Sequence, residues 1–173
     1  MDTETKKELE QIREKIPPDL LVSIIRSLYF QTAWELPKEM LQSGVDKNLI
    51  WKLQLEIARK TGIQGANSLR GFQFSGNDLT KLAKAFMFAA LNMGVKSNLK
   101  FVNPEECELT FKKNCGHGLK IKEYNLPFTC SEWCEKHFNA ELQSLNPNFI
   151  IKLKEGLPQG LKSCIFKILS KKK

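Results

Sequence analysis

Four of the five cysteines, Cys115, Cys130, Cys134 and Cys164, fall in the last third of the chain, while Cys107 stands apart. The only two histidines, His117 and His137, lie among them. Thiol and imidazole are the side chains from which nucleophiles, proton carriers and soft metal ligands are built. Cys115-Gly116-His117 places a thiol and an imidazole two residues apart, a spacing open to a Cys–His pair but not one that forces them together. Thr129-Cys130-Ser131-Glu132 has the pattern of a capping box, which puts Cys130 at the first position of a helix. Unsatisfied N–H groups there favour a thiolate, so the Cys130 pKa is expected below the free value of about 8.5. Cys134 and His137 follow on the same helix face. On this reading Cys130 and Cys115 are candidate catalytic thiols, and His137 is a proton carrier if it faces inward. The alternative is that Cys130 and Cys134 are small buried hydrophobes. Zinc is a third chemistry, through Cys115, Cys130, Cys134 and either Cys164 or His137 in a tetrahedron, with Cys115, Cys130 and Cys164 the ligands chosen. The spacing is not that of a zinc finger, since no two cysteines are separated by just two residues.

The elements that must hold these groups divide the chain at about residue 95. Residues 1–95 read as helices. One covers Lys6 to Lys15 and stops at Pro17-Pro18. The next, capped by Asp19, carries Leu20, Ile24 and Leu28 and is kinked or ended at Pro37. Asp46 caps a third, which Gly62 ends, and the glycine-rich stretch from Gly62 to Gly76 reads as a loop without the Gly-Lys-Ser/Thr ending of a phosphate loop. Asn77 or Ser75 opens a helix through Leu79, Leu82, Phe86 and Leu91, apolar almost all round and therefore central. Residues 96–170 are strand-rich. Leu99–Val102 and Cys107–Phe111 form two strands, with Cys107, Leu109 and Phe111 on one face. Gly-rich Asn114–Gly118 exposes Cys115, and a short helix follows. Phe149–Leu153 and Cys164–Ile168 are the last strands, joined by a turn at Gly156–Gly160. The expected fold is α+β: amino-terminal helices packed on a mostly antiparallel sheet, with the cysteine-bearing helix inserted before the last two strands.

At 173 residues, 42% of them apolar, the chain (1–173) is expected to be one domain with a real core and a frayed tail at 171–173. No apolar run reaches the length of a membrane span, and the charged amino terminus has no secretion core, so a cytoplasmic protein with reduced thiols is expected. The net charge of +8 comes from lysines scattered among acids, and only four arginines occur. That is a solvated surface, and no nucleic-acid or membrane partner is expected. The surplus of apolar side chains from Ala83 to Leu91 raises the expectation of a homodimer through that helix.

The cysteine-bearing half also resembles known families. Cys115 just past a strand, Pro127-Phe128-Thr129-Cys130 opening a helix, Leu145-Asn146-Pro147 before a strand and Cys164-Ile165-Phe166 in the last strand are similar to the L-2-amino-thiazoline-4-carboxylic acid hydrolase family. The resemblance implies a hydrolase for a small thiazoline carboxylate, with Cys130 as nucleophile, Cys115 as a second sulfur and Cys164 lining or ligating. Lys120 or Lys122 would then hold the substrate carboxylate. The closing Cys164-Ile165-Phe166 strand also resembles the vinyl-reductase-like domains, similar in fold to transport-particle subunits. That likeness implies a non-enzymatic sensory domain for a hydrophobic ligand, sometimes beside zinc, with a pocket among Phe86, Met87, Leu91 and the sheet and with the cysteines, Cys134 among them, ligating or packed inert.

Overall fold

The computed structural model describes residues 17–74, 76–93, 95–112, 115–155 and 163–171. The expected helix at 6–15, the turn at 156–160 and most of the 171–173 tail lie outside the described residues. Helices α1 (Pro18–Gln42), α2 (Lys47–Leu69) and α3 (Asp78–Asn92) are followed by strands β1 (Ser97–Asn103) and β2 (Glu106–Lys112). Helices α4 (Gly116–Glu123) and α5 (Cys130–Leu145) come next, and strands β3 (Phe149–Glu155) and β4 (Ser163–Ser170) close the chain. The sheet has the order β1-β2-β4-β3 and every neighbour is antiparallel. This is the expected α+β architecture, with the cysteine helix ahead of the last two strands.

Alternation decides which sheet face is buried. Cys107, Leu109 and Phe111 of β2 lie opposite Ile168, Phe166 and Cys164 of β4, and all six point into the core. The other face carries charge: Lys154 pairs with Glu108 at 3.0 Å, and Lys167 bridges Glu106 and Glu108. Much of the lysine excess on the sheet is therefore a solvated, partly paired surface. Edge strand β3 is tied to α5 by a two-pronged bond. Asn139 Nδ2 donates to the Ile151 carbonyl at 2.7 Å, and the Ile151 N–H donates to Asn139 Oδ1 at 3.0 Å. The side chain occupies the ladder groups that an edge strand leaves open.

Several helix boundaries depart from the sequence reading, each for a packing reason. Asp46 and Asn77 cap α2 and α3 as expected, accepting from the N–H groups of Leu49 and Thr80. Helix α1 begins at Pro18 rather than after Asp19, and it continues through Pro37 to Gln42. The missing hydrogen bond there is offset by burial of the proline ring. Helix α2 does not stop at Gly62; it runs on to Leu69. A β-carbon at Gly62 would lie 2.2 Å from the His137 carbonyl oxygen, so the glycine is what lets α2 cross α5 backbone to backbone. Its cost in helix propensity, about 1 kcal/mol, is outweighed by that contact. Likewise Gly116 begins α4 instead of a loop, pressed against the Phe30 ring. Helix α5 starts at Cys130, but Thr129 makes no side-chain cap, and Glu132 instead accepts from Trp51 Nε1 at 3.0 Å.

The helix α3 does pack centrally: Leu79, Leu82, Ala83, Ala85, Phe86 and Ala90 are buried. That burial removes most of the apolar surface on which the expected homodimer rested, leaving Leu91 at 66% exposure. The exposed large apolar side chains are instead concentrated on α1 and α2, among them Ile25, Leu28, Leu36 and Leu49. Among the described residues no helix is long and apolar enough to cross a membrane.

Candidate functional site: a cavity walled by aromatics, histidines and thiols

Between the helices and the buried sheet face lies a cavity of about 530 Å³. Helix α1 contributes Val22, Ile25, Arg26, Tyr29 and Phe30, and α3 contributes Phe86, Ala89 and Ala90. The floor is Phe111 of β2 with Cys164 and Phe166 of β4. The far wall is α5, through Trp133, Cys134, His137, Phe138 and Glu141, while α2 adds Thr61, Gln64 and Gly65. Cys115 and His117 enter from the start of α4. The volume lies within the range of about 300–1,000 Å³ typical of small-molecule sites, and a mostly apolar lining with a few polar groups is their usual character.

The polar groups have defined states. Trp34 Nε1 donates to His117 Nδ1 at 2.9 Å inside a cluster formed by Phe30, Tyr29, Trp34 and Trp133. Because Nδ1 accepts, the His117 proton sits on Nε2. Burial, reinforced by the His137 charge, pushes the His117 pKa down to about 3, so the ring is neutral. Trp133 stacks on His137 at 5.2 Å, and its own Nε1–H is buried without a partner among the described residues.

His137 is fixed from α2. The Thr61 hydroxyl donates to the Ile57 and Ala58 carbonyls, so its oxygen, with the Ala58 carbonyl, accepts from His137 Nδ1 at 3.0 and 3.2 Å. This leaves the His137 Nε2 lone pair aimed at Glu141, 3.6 Å away. Burial lowers the His137 pKa to about 4 and raises that of Glu141 to about 7. Near neutral pH the two are therefore a neutral imidazole beside a half-protonated carboxyl rather than an ion pair.

The thiols reverse the expectation for Cys130. It does open α5, and the backbone N–H groups of Cys130 and Ser131 do favour its thiolate, but burial dominates and pushes the pKa up to about 12. A helix terminus is worth about 0.3–1 kcal/mol, under one pKa unit, whereas full burial moves a group by several. The thiol drawn downward is Cys115, the residue ahead of α4. Cys134 donates a hydrogen bond to it, the N–H groups of Gly118 and His117 lie behind it, and Arg26 adds positive charge. Cys134, the donor and fully enclosed, is pushed the other way. Burial holds Cys107 protonated as well, with a pKa up to about 12.

Cys115, Cys134, Cys164, His137 and Phe86 thus meet at one cavity, which Cys130 borders without lining. Lys120 and Lys122 do not line it: Lys120 is paired with Glu123 at 2.8 Å and lies over the Tyr124 ring, and Lys122 is exposed. Among the described residues no three His, Cys, Asp or Glu side chains are set to hold a metal ion, so Cys115, Cys130 and Cys164 do not form the donor set that zinc would need. The sequence reading missed Trp133, Glu141 and the Trp34–His117 bond. Glu141 carried a signal: it continues the inward stripe of Cys130, Cys134 and His137, where an acid is out of place.

No protein-family model matches the chain, and no curated protein matches it. Among solved structures it is similar to the phenol-responsive sensory domain of the transcription activator PoxR with phenol, at TM-score 0.61 and 10% identity over 82% of this chain and 74% of that one. It is also similar to trafficking protein particle complex subunit 3 from Naegleria fowleri, covalently bound to palmitic acid, at TM-score 0.60 and 17% identity over 87% of this chain and 97% of that one. At these identities what the chain shares with both is the fold.

Proposed function

We propose that this chain is a sensory-type binding domain for a small apolar molecule. The observation that carries the reading is the cavity itself: about 530 Å³ bounded by α1, α2, α3, α5 and the sheet, with the buried N–H of Trp133 in its wall unpaired among the described residues. An apolar ligand would gain about 25 cal/mol for each Å² it removes from water, and the Trp133 N–H would help to fix its orientation. The fold likeness to a domain described as phenol-responsive supports the same reading. The hydrolase reading takes Cys130 as nucleophile, and burial keeps that thiol protonated, while Cys115, the thiol drawn downward, is engaged by the Cys134 hydrogen bond. The geometry therefore favours binding over turnover.

The test is calorimetric titration of the purified chain with phenol and with phenethyl alcohol, read in parallel by tryptophan fluorescence, since Trp133 lines the cavity. Saturable binding is expected. Ala89→Phe, which fills the cavity from α3, is expected to abolish it while leaving the circular dichroism unchanged. Absence of binding by these two compounds and by phenethylamine alike, or equal binding by a folded Ala89→Phe variant, would sink the proposal.

A further inference from the structure

We propose that the cavity selects apolar molecules carrying a protonated amine, with the Glu141 carboxylate as counter-ion and His137 Nε2 as the second acceptor. The inference rests on the reading of the cavity as a ligand site and names the chemistry of its ligand.

Glu141 is 3% exposed on an apolar cavity wall. A buried carboxylate is ordinarily paired or richly hydrogen-bonded, because desolvation of an unpaired charge is costly. Here no donor among the described residues lies within hydrogen-bonding distance of it. Its nearest partner, His137 Nε2, is 3.6 Å away and presents a lone pair, because Nδ1 carries the proton and spends it on Thr61 and Ala58. Once Glu141 is ionised, two acceptors stand side by side with no donor between them, and a single ammonium group is of a size to bond both in place of the carboxyl's own proton. A carboxyl group alone would suit an alcohol equally well. What favours the cation is that no cationic side chain among the described residues pairs with Glu141: Arg26, which also lines the cavity, lies over the Phe30 ring and acts on Cys115.

The other groups around the cavity do not change that balance. From α2, Thr61, Gln64 and Gly65 face Glu141, and none of them titrates. From α5 itself come His137, neutral, and Cys134, held as a thiol. From β4 comes Cys164, and from the start of α4 come Cys115 and the neutral His117. From α1 come Tyr29, kept protonated by burial, and Arg26, whose guanidinium sits 5.9 Å above the Phe30 ring and whose charge is felt by Cys115. Gly65 makes the room: a β-carbon there would meet Glu141 Oε1 at 3.2 Å.

The test compares three probes with one apolar body and different heads, phenethylamine, phenethyl alcohol and hydrocinnamate, by titration calorimetry between about pH 6 and pH 8. The cation binds only the ionised carboxyl. With the Glu141 pKa near 7, phenethylamine affinity is expected to rise about tenfold from pH 6 to pH 8, while that of the alcohol stays flat. Repeating the titration at pH 6 in buffers of different ionisation enthalpy should show close to one proton released per amine bound, a readout that needs no variant. Glu141→Gln keeps the shape of the protonated side chain and is expected to erase both the pH slope and the preference for the amine. Binding of the alcohol as tightly as the amine at pH 8, or a preference for hydrocinnamate, overturns this inference and leaves the binding-domain reading standing. Failure of all three probes removes the binding-domain reading itself.

Discussion

Replacing Gly62 or Gly65 by alanine should have very unequal consequences, although both glycines lie on α2 and both meet α5. In an unconstrained helix either change would stabilise by about 1 kcal/mol, the difference in propensity between the two residues. At Gly62 the new β-carbon would stand 2.2 Å from the His137 carbonyl oxygen and 3.1 Å from both Ala140 Cβ and Glu141 N. Two of those atoms are backbone and cannot swing aside, so α2 and α5 must separate by roughly 1 Å, and close packing is lost along Ala58, Ala66 and Leu142. Overpacking of this kind costs about 1–3 kcal/mol or more, and the loosened interface adds to it, so a net loss of about 2 kcal/mol is expected. For a domain of this size that is a fall of roughly 4–8 °C in Tm. At Gly65 the only close atoms belong to the Glu141 side chain, the nearest being Oε1 at 3.2 Å, and a carboxyl can rotate away. Gly65→Ala is therefore expected to change stability by no more than about 0.5 kcal/mol. Urea unfolding of the two variants and the parent, compared at equal m, measures both. Equal midpoints for the two variants would refute the claim that the α2–α5 crossing is set by backbone contact at Gly62.

Stability should fall on acidification through the two histidines. Their folded pKa values, about 3 for His117 and about 4 for His137, lie below the ordinary 6.5, so their contribution is complete above pH 6.5 and is lost as the pH falls towards those values. Each costs about 1.4 kcal/mol per pH unit there, and Glu141, shifted the opposite way from 4.5 to about 7, cancels one of the two. Glu141→Gln should accordingly double the slope of stability against pH between about 6.5 and 4.5; an unchanged slope would show that the carboxyl is not raised. Iodoacetamide at pH 7.5, with the modified peptides mapped by mass spectrometry, should label Cys115 before Cys130, and Cys134→Ala should slow the Cys115 reaction by removing its hydrogen-bond donor. First labelling at Cys130 would refute the assignment. Asn139→Ala removes bonds of 2.7 and 3.0 Å to a buried strand and should cost about 2 kcal/mol, with faster amide exchange at Ile151.

The α+β class, all four strands and the buried face of β2 were legible because alternation and caps are local. Cys107, Leu109 and Phe111 announce their face, and Asp46 and Asn77 announce their helices, without help from the rest of the chain. The misreadings share one cause: a local signal overruled by a distant neighbour. Gly62 reads as a helix end until α5 lies across it, and Pro37 reads as a break until its ring is enclosed. At Cys130 the helix terminus pulls the thiol down while the core around it pushes harder, and nothing near Cys130 in the sequence reveals that core. The cavity is the extreme case. Its walls come from four long helices and two strands, so Trp133, Glu141 and His117 acquire a common purpose only once the chain is folded.

The bond between Asn139 and Ile151 bears on how filling the cavity would reach the outside of the molecule. Apolar contacts let one surface slide over another at small cost, but two directional hydrogen bonds to the backbone of a single residue do not. Helix α5 is thereby latched to the outermost strand, and the cavity wall that carries Trp133, His137 and Glu141 is mechanically continuous with the β3–β4 pair. A guest that displaces α5 must carry the sheet margin with it or unfasten the latch. Occupancy of the interior would then be legible at an outer edge of the molecule, on the side away from β1, where another protein could read it without touching the guest.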